Sequence, residues 1–284
     1  MSRDPWAAWL LERRHGGDER SLAETLEHLG PIRDRVLDNA RIEPGETLLD
    51  VGCGDGLIAF GALRRGARVV FSDVSQELLD VCREIAAGDE RCTFVQADAT
   101  DLSPIADASV DAVTLRSVLI YVAERARAFA EFRRVLKPGG RISLFEPINS
   151  FEYPGPDGRW GAWDVSEVQD LADRVKGVFR AIHDRHGNTM HDFEAPDLVA
   201  LAERAGFREI HADANYEVSP SEAFETWDTY ENSSGNPLVP TLREAADSVL
   251  TPEESRRFRS HLRCRAEAGE GVARAATLYL WAVA

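Results

Sequence analysis

From Glu43 to Pro147 the spacing of hydrophobic positions changes repeatedly along the chain. Short apolar runs of strand length alternate with segments whose apolar residues recur every three or four positions, the pattern of a parallel sheet covered by helices. Thr47–Val51, Arg68–Phe71, Cys92–Gln96, Asp111–Leu115 and Arg141–Phe145 are the candidate strands of this stretch. Between the second and third, Ser75 is placed to cap a helix in which Leu78, Cys82 and Ile85 share one face, with Gly88 at a left-handed stop. Phe129, Phe132 and Leu136 mark another helical face, ended by Lys137-Pro138-Gly139-Gly140.

After Pro147 the alternation lapses into a stretch rich in glycine, proline and aromatics, with Trp160 and Trp163, followed by a helical pattern near Val165–Phe179. Regularity resumes with Pro196 as a first helical residue, Leu198 and Leu201 on one face, Gly206 as the stop and a strand from Arg208 to Val218. Two further helices are predicted, the second opened by the capping box Thr251-x-x-Glu254 with Pro252 in its first turn. Ala275–Ala284 reads as a last strand. The seven candidate strands predict an α/β fold, a doubly wound, mostly parallel seven-stranded sheet with helices on both faces and helical lid insertions.

Composition changes this picture little, and charge changes it more. The 284 residues, 44% hydrophobic and 29% charged, suit a single α/β domain with elaborations. A formal net charge of -16 repels phosphate backbones and anionic lipid surfaces, so neither nucleic acid nor membrane is the expected partner, and a small molecule or a peptide is. Cys53, Cys82, Cys92 and Cys264 form no C-x-x-C pair and no histidine stands at ligand spacing to them, so no metal is expected and the thiols read as reduced. With no apolar signal core near Met1 and no run of about 18 apolar residues, the expected location is cytoplasmic.

The chemistry is carried by Leu48-Leu49-Asp50-Val51-Gly52-Cys53-Gly54-Asp55-Gly56, a glycine-rich turn directly after the first strand and before a helix starting near Leu57. Such a turn lets a ligand approach the backbone closely, and the helix amino terminus beyond it favours a carboxylate. Nicotinamide-binding folds also use a glycine turn, but with a G-x-G-x-x-G spacing; here the third glycine follows the second by two positions. Asp50 and Asp55 would repel a pyrophosphate and attract an ammonium and a sulfonium.

Asp-x-Gly-x-Gly-x-Gly after a first strand resembles motif I of the class I, Rossmann-like S-adenosylmethionine-dependent methyltransferases, and three further features follow in the family's order. Asp73, with Val74 beside it, resembles the acid that binds both ribose hydroxyls. Asp98, followed by Ala99, resembles the acid that accepts from the adenine amino group. Leu136-Lys137-Pro138-Gly139-Gly140-Arg141 resembles the turn before the fifth strand. The resemblance, strongest to the small-metabolite and quinone-biosynthesis methyltransferases, implies S-adenosylmethionine as cofactor, S-adenosylhomocysteine as product, and Asp50, Gly52, Cys53, Gly54, Gly56, Asp73, Val74, Asp98, Ala99 and Arg116 as cofactor-binding residues. Taken singly, Asp73 and Asp98 equally suit turn acids, and Cys53 and Cys82 suit small core residues. The expected organisation of 1–284 is an N-terminal helical cap at 1–42, a cofactor-binding core at 43–147, a lid insertion at 148–194, and a C-terminal half at 195–284 with a helical insertion at 219–271.

Acceptor chemistry is less constrained. The family group often carries a histidine after the fourth strand where this chain has Leu119-Ile120-Tyr121-Val122, which makes Tyr121 a candidate for that role. A carboxylate acceptor needs a fixed cation, and Arg116 at the end of the fourth strand is the candidate; the same side chain equally suits the donor's own carboxylate. A hydroxyl or amine acceptor needs a base, for which His183, His186 and His191 in the insertion are candidates, with His191 singled out. Trp160 and Trp163 serve either as plugs of the insertion or as a substrate-facing wall. The leading expectation is methyl transfer to an oxygen of a small metabolite or modified peptide. The alternatives are N- or C-methylation, a nicotinamide-dependent oxidoreductase, and a non-catalytic S-adenosylmethionine-binding module.

Overall fold

The structure, a computed structural model, describes residues 4–14, 19–153, 156–185, 187, 189–221 and 227–284, and over 19–28 only the backbone. The chain begins with α1 (Pro5–Ala8), continued by a wider π turn over Trp9–Arg13, and α2 (Glu19–Ala40). The core then alternates as β1 (Thr47–Val51), α3 (Leu57–Arg64), β2 (Arg68–Asp73), α4 (Gln76–Ala86), β3 (Cys92–Gln96), β4 (Val110–Arg116), α5 (Arg125–Val135) and β5 (Leu136–Pro147). Beyond it come the short pair β6 (Arg159–Trp160) and β7 (Trp163–Asp164), α6 (Gln169–Arg185), α7 (Ala195–Arg204), β8 (Arg208–Pro220), α8 (Trp227–Asn232), α9 (Leu242–Val249), α10 (Pro252–Glu267) and β9 (Val272–Val283).

Seven strands form one sheet in the order β3-β2-β1-β4-β5-β9-β8, parallel from β3 to β5, with β9 antiparallel to both β5 and β8. The sheet is the expected one, and the direction of winding reverses between β1 and β4. Ligands of such sheets bind in the crevice beyond the carboxyl ends of the strands at this reversal. One face is covered by α2, α3 and α4, where Val36, Leu48, Ala59, Val69 and Phe71 are buried together. The other face packs Phe129 and Phe132 of α5 and Leu198 of α7 against β4, β5 and β9. Each wholly buried phenylalanine contributes on the order of 2–3 kcal/mol of burial free energy.

The local signals resolve in detail. Ser75 accepts from the Leu78 N–H at 3.2 Å and caps α4, whose stop uses both Ala87 (φ 49°) and Gly88 (φ 82°) in left-handed conformation. Leu78 and Cys82 are buried, but Ile85, expected on their face, is 59% exposed because it stands in the last turn as the chain leaves the helix. β5 starts five residues before the expected Arg141, because Leu136 already pairs with Val110 and the Lys137–Gly140 turn is a bulge inside the strand. A Cβ at Gly140 would stand 2.8 Å from the Asp111 carbonyl oxygen, which fixes glycine there.

The predicted helix near Val165–Phe179 becomes a short 3-10 turn at Ser166–Val168 followed by α6. Among the described residues, three helices and not two lie between β8 and β9; α10 has the expected Thr251 box, and Thr241 makes a second box with Glu244 at the start of α9. Trp163, Val168 and Leu171 share a separate apolar cluster with Trp227, Leu242, Ala246 and Phe258. The two stretches expected as separate insertions thus close on each other around a core of their own.

Candidate functional site

Asp50 is the last but one residue of β1, and burial pushes its carboxyl up to about 7. One oxygen accepts from Thr114 Oγ1 on β4 at 2.8 Å, and the other from the Ala59 N–H in the first turn of α3 at 3.1 Å. Gly56, the N-cap of α3, has no side chain with which to satisfy that turn, and Asp50 does so from the neighbouring strand. The N–H groups of Leu57 and Ile58, which precede the helix's own bonds, have no acceptor among the described residues.

Between Asp50 and α3 the chain turns through Gly52 (φ 64°), Gly54 (φ 54°) and Gly56 (φ 83°), all in the region that favours glycine. A Cβ on Gly52 would lie 2.5 Å from Val118 Cγ2, and one on Gly56 would lie 2.5 Å from the Phe60 ring. Asp73, at the end of β2, accepts from the Gly54 N–H and the Ser75 N–H at 2.9 Å each, tying the turn to the start of α4. Burial raises the Asp73 carboxyl above the ordinary range, and the two N–H donors oppose that shift. Cys53 is buried; its thiol is pushed up by the neighbouring Cys82 and then by burial, while Cys82 Sγ donates to the Gly54 carbonyl at 3.3 Å. Both cysteine side chains are buried against the turn.

Asp98 follows β3, and one of its oxygens accepts from the Thr100 N–H at 2.8 Å and the Thr100 hydroxyl at 2.6 Å. These strand ends open into one cavity of about 860 Å³. Asp50, Gly52, Cys53, Gly54, Asp73, Val74, Asp98, Ala99, Arg116 and Tyr121 all line it, whereas Gly56 stands behind the turn and does not. A dinucleotide pyrophosphate does not suit a cradle lined by Asp50, Asp55, Asp73 and Asp98; a donor with ribose hydroxyls, an adenine amino group and cationic ammonium and sulfonium centres does.

Tyr121 lies in the turn after β4 with its ring 4.8 Å from Trp6. Burial, and after it the nearby Glu146 carboxyl, push its hydroxyl up to about 12, which makes it a hydrogen-bond donor at neutral pH and not a base. Glu146 gave no signal in the sequence beyond closing the fifth strand. In the structure it is fully buried and accepts from the N–H groups of Val118 and Leu119 at 2.9 Å each and of Ile120 at 3.4 Å, so it holds the turn that carries Tyr121. Burial raises this carboxyl to about 7.

His191 does not line the cavity. Its ring packs 4.3 Å from Tyr153 and 4.5 Å from His183, and burial with the His183 charge lowers its pKa to about 4. His183 borders a much smaller neighbouring hollow, and His186 lies outside the described residues. No histidine is among the described residues lining the cavity. The two tryptophans of the insertion divide: Trp163 is buried against Trp227 and Tyr230, while Trp160 lines the cavity and packs on Phe179 and Phe258. Sequence reasoning missed Arg14, Trp6 and Trp9, which reach the cavity from the amino-terminal helix.

Comparisons with known proteins agree with this geometry. A family model described as a methyltransferase domain matches residues 49–144. Demethylmenaquinone methyltransferase of Clavibacter sepedonicus is 45% identical over 114 residues, 39% of this chain and 46% of that protein. Nocamycin O-methyltransferase of Saccharothrix syringae is 32% identical over 216 residues, 72% of this chain and 75% of that protein. The chain therefore spans about half the length of the first relative and three quarters of the second. Phosphoethanolamine N-methyltransferase 2 of Haemonchus contortus, solved with phosphomonomethylethanolamine and S-adenosylhomocysteine, shares the fold with a TM-score of 0.51 at 17% identity, over 98% of this chain and 56% of that one. With the glycine turn, the strand-end acids and a relative matched over most of its length, the chain belongs to the S-adenosylmethionine-dependent methyltransferase family.

Proposed function

We propose that this protein transfers the methyl group of S-adenosylmethionine to an oxygen of a small metabolite. The observation that carries the reading is a single cavity lined both by the donor-type acids Asp50, Asp73 and Asp98 and by Arg116, Tyr121 and Trp160, with no histidine among the described lining residues. Oxygen is favoured because an ionised oxygen needs placement and no base, whereas an ammonium must first lose a proton. The O-methyl transfer in the name of the nocamycin relative supports the same choice.

In this reading Asp73 accepts from the ribose hydroxyls, Asp98 accepts from the adenine amino group, and Val74 and Ala99 flank the base. Gly52, Cys53 and Gly54 present backbone to the methionine part, while Gly56 and Asp50 hold the turn and the first turn of α3 in shape. The bound donor supplies an activated methyl group on its sulfonium. Arg116 and the Tyr121 hydroxyl orient the acceptor oxygen, and alignment is the protein's main contribution to such a displacement. The amino-terminal segment and the two insertions act as the cover that excludes water, in line with the cavity lining by Trp9, Met190 and Leu242. His191, one residue from Met190, shapes that wall and takes no proton.

Calorimetry with S-adenosylhomocysteine tests the donor site. Wild-type protein binds it, and Asp73→Ala binds at least tenfold more weakly, since each charge-assisted hydrogen bond lost is worth about 1.5–3 kcal/mol. Unchanged affinity would remove Asp73 from the site.

A further inference from the structure

Two guanidinium groups reach the cavity from different parts of the chain, Arg14 just past the amino-terminal helix and Arg116 at the end of β4. Neither guanidinium forms a hydrogen bond or an ion pair with any described residue, whereas the adjacent Arg13 pairs with Glu244 at 2.7 Å. Arg14 is partly buried, and the charges that act on it include the like charge of Arg116 as well as Asp55 and Tyr121. Arg14 also lies over the Trp9 ring at 5.6 Å, and Arg116 is within electrostatic reach of the buried Asp50 and Glu146, but neither guanidinium has a hydrogen-bonded counter-ion, which an anion entering between them would supply. The donor brings one carboxylate only, and the unpaired N–H groups of Leu57 and Ile58 at the start of α3 already offer that carboxylate a place.

We propose that Arg14 and Arg116 form an anion clamp that selects the acceptor: an organic acid with an ionised oxygen on an apolar, ring-sized body. The inference rests on the methyl-transfer reading above and narrows its substrate class. The body of the acceptor is met by Trp160, Phe179, Met190 and Tyr230, which line the same cavity. The Trp160 ring packs edge-on against Phe179 at 5.8 Å and Phe258 at 5.3 Å, which makes this part of the wall aromatic and apolar. An acceptor that enters ionised has no proton to surrender, which fits the lack of a lining histidine among the described residues. Methylation of the held oxygen removes the charge on which the clamp acts, so the product is released where the substrate was retained.

The probes are 2-naphthoate and its uncharged methyl ester, titrated calorimetrically into the protein saturated with S-adenosylhomocysteine. Wild-type protein is expected to bind 2-naphthoate at least tenfold more tightly than the ester. Arg14→Gln and Arg116→Gln are each expected to lower naphthoate affinity at least fivefold, to leave ester affinity unchanged, and to lower S-adenosylhomocysteine affinity by less than twofold. Equal binding of acid and ester by the wild type overturns the clamp. So does a loss of S-adenosylhomocysteine affinity in either variant as large as the loss of naphthoate affinity, because that assigns the cation to the donor. If wild-type protein fails to bind S-adenosylhomocysteine at all, the methyl-donor reading itself falls, and the two failures are distinguished by that first titration.

Discussion

A carboxyl group taken out of water must either find donors or keep its proton, and in this protein two acids do some of both. Asp50 and Glu146 are buried, hydrogen-bonded and raised to about 7, one behind the glycine turn and the other behind the turn carrying Tyr121. Glu146 has an ordinary value of 4.5, so the folded state holds its proton more tightly than the unfolded chain does. Its contribution to stability is therefore complete below about pH 4.5 and is lost as pH rises through about 7. Glu146→Gln cannot titrate, and it should gain on the wild type by up to about 3 kcal/mol between pH 4.5 and 8. Urea unfolding of both proteins at several pH values measures this; a constant difference across the range would show that Glu146 does not titrate in folding.

The unit formed by β1, the glycine turn and α3 shows how one element depends on its neighbour. Gly52 allows a positive φ and also leaves room for Val118 in the turn held by Glu146, so the donor-side and acceptor-side turns touch there. Gly52→Ala should cost about 1–2 kcal/mol from backbone strain alone and more from the contact with Val118. Adding Val118→Ala should relieve the second part only. A double-mutant cycle on urea midpoints is expected to give a favourable coupling of at least about 0.5 kcal/mol, and additivity of the two changes would mean that the turns are independent. At this scale the sequence was a good guide: the Ser75 cap and the Thr251 box were legible, and Thr241-x-x-Glu244 carried the same signal unread. Ile85 misled, because helical periodicity cannot say where a helix runs past the surface it packs on.

Over the whole molecule, the cavity wall joins stretches far apart in the chain. Trp9 Nε1 donates to the Ser234 carbonyl at 2.7 Å, fastening the amino-terminal helix to the segment between α8 and α9. Removing that bond by Trp9→Phe keeps the aromatic packing and loses about 1 kcal/mol, which corresponds to about fivefold faster opening of the wall. Hydrogen exchange over 233–242 should rise by that factor and fall back when S-adenosylhomocysteine binds. Exchange unchanged from the wild type would make the Trp9 contact incidental to closure.

The sequence by itself determined the sheet, the glycine turn and the acids at the strand ends, because each is written in residues a few positions apart: strand and helix periods, a positive φ that requires glycine, a cap three residues from its donor. Tertiary structure alone decided what faces the cavity. It brought Arg14 near Arg116, turned Glu146 into the anchor of the Tyr121 turn, put Trp160 on the wall and Trp163 in a core, and packed His191 on Tyr153, off the cavity lining. These relations depend on contacts between residues as far apart as Trp9 and Ser234, separated by 225 positions, and on how two insertions share one apolar cluster. Local propensity holds no record of such distances, since the free energy that fixes them is released only when the distant surfaces meet and exclude water.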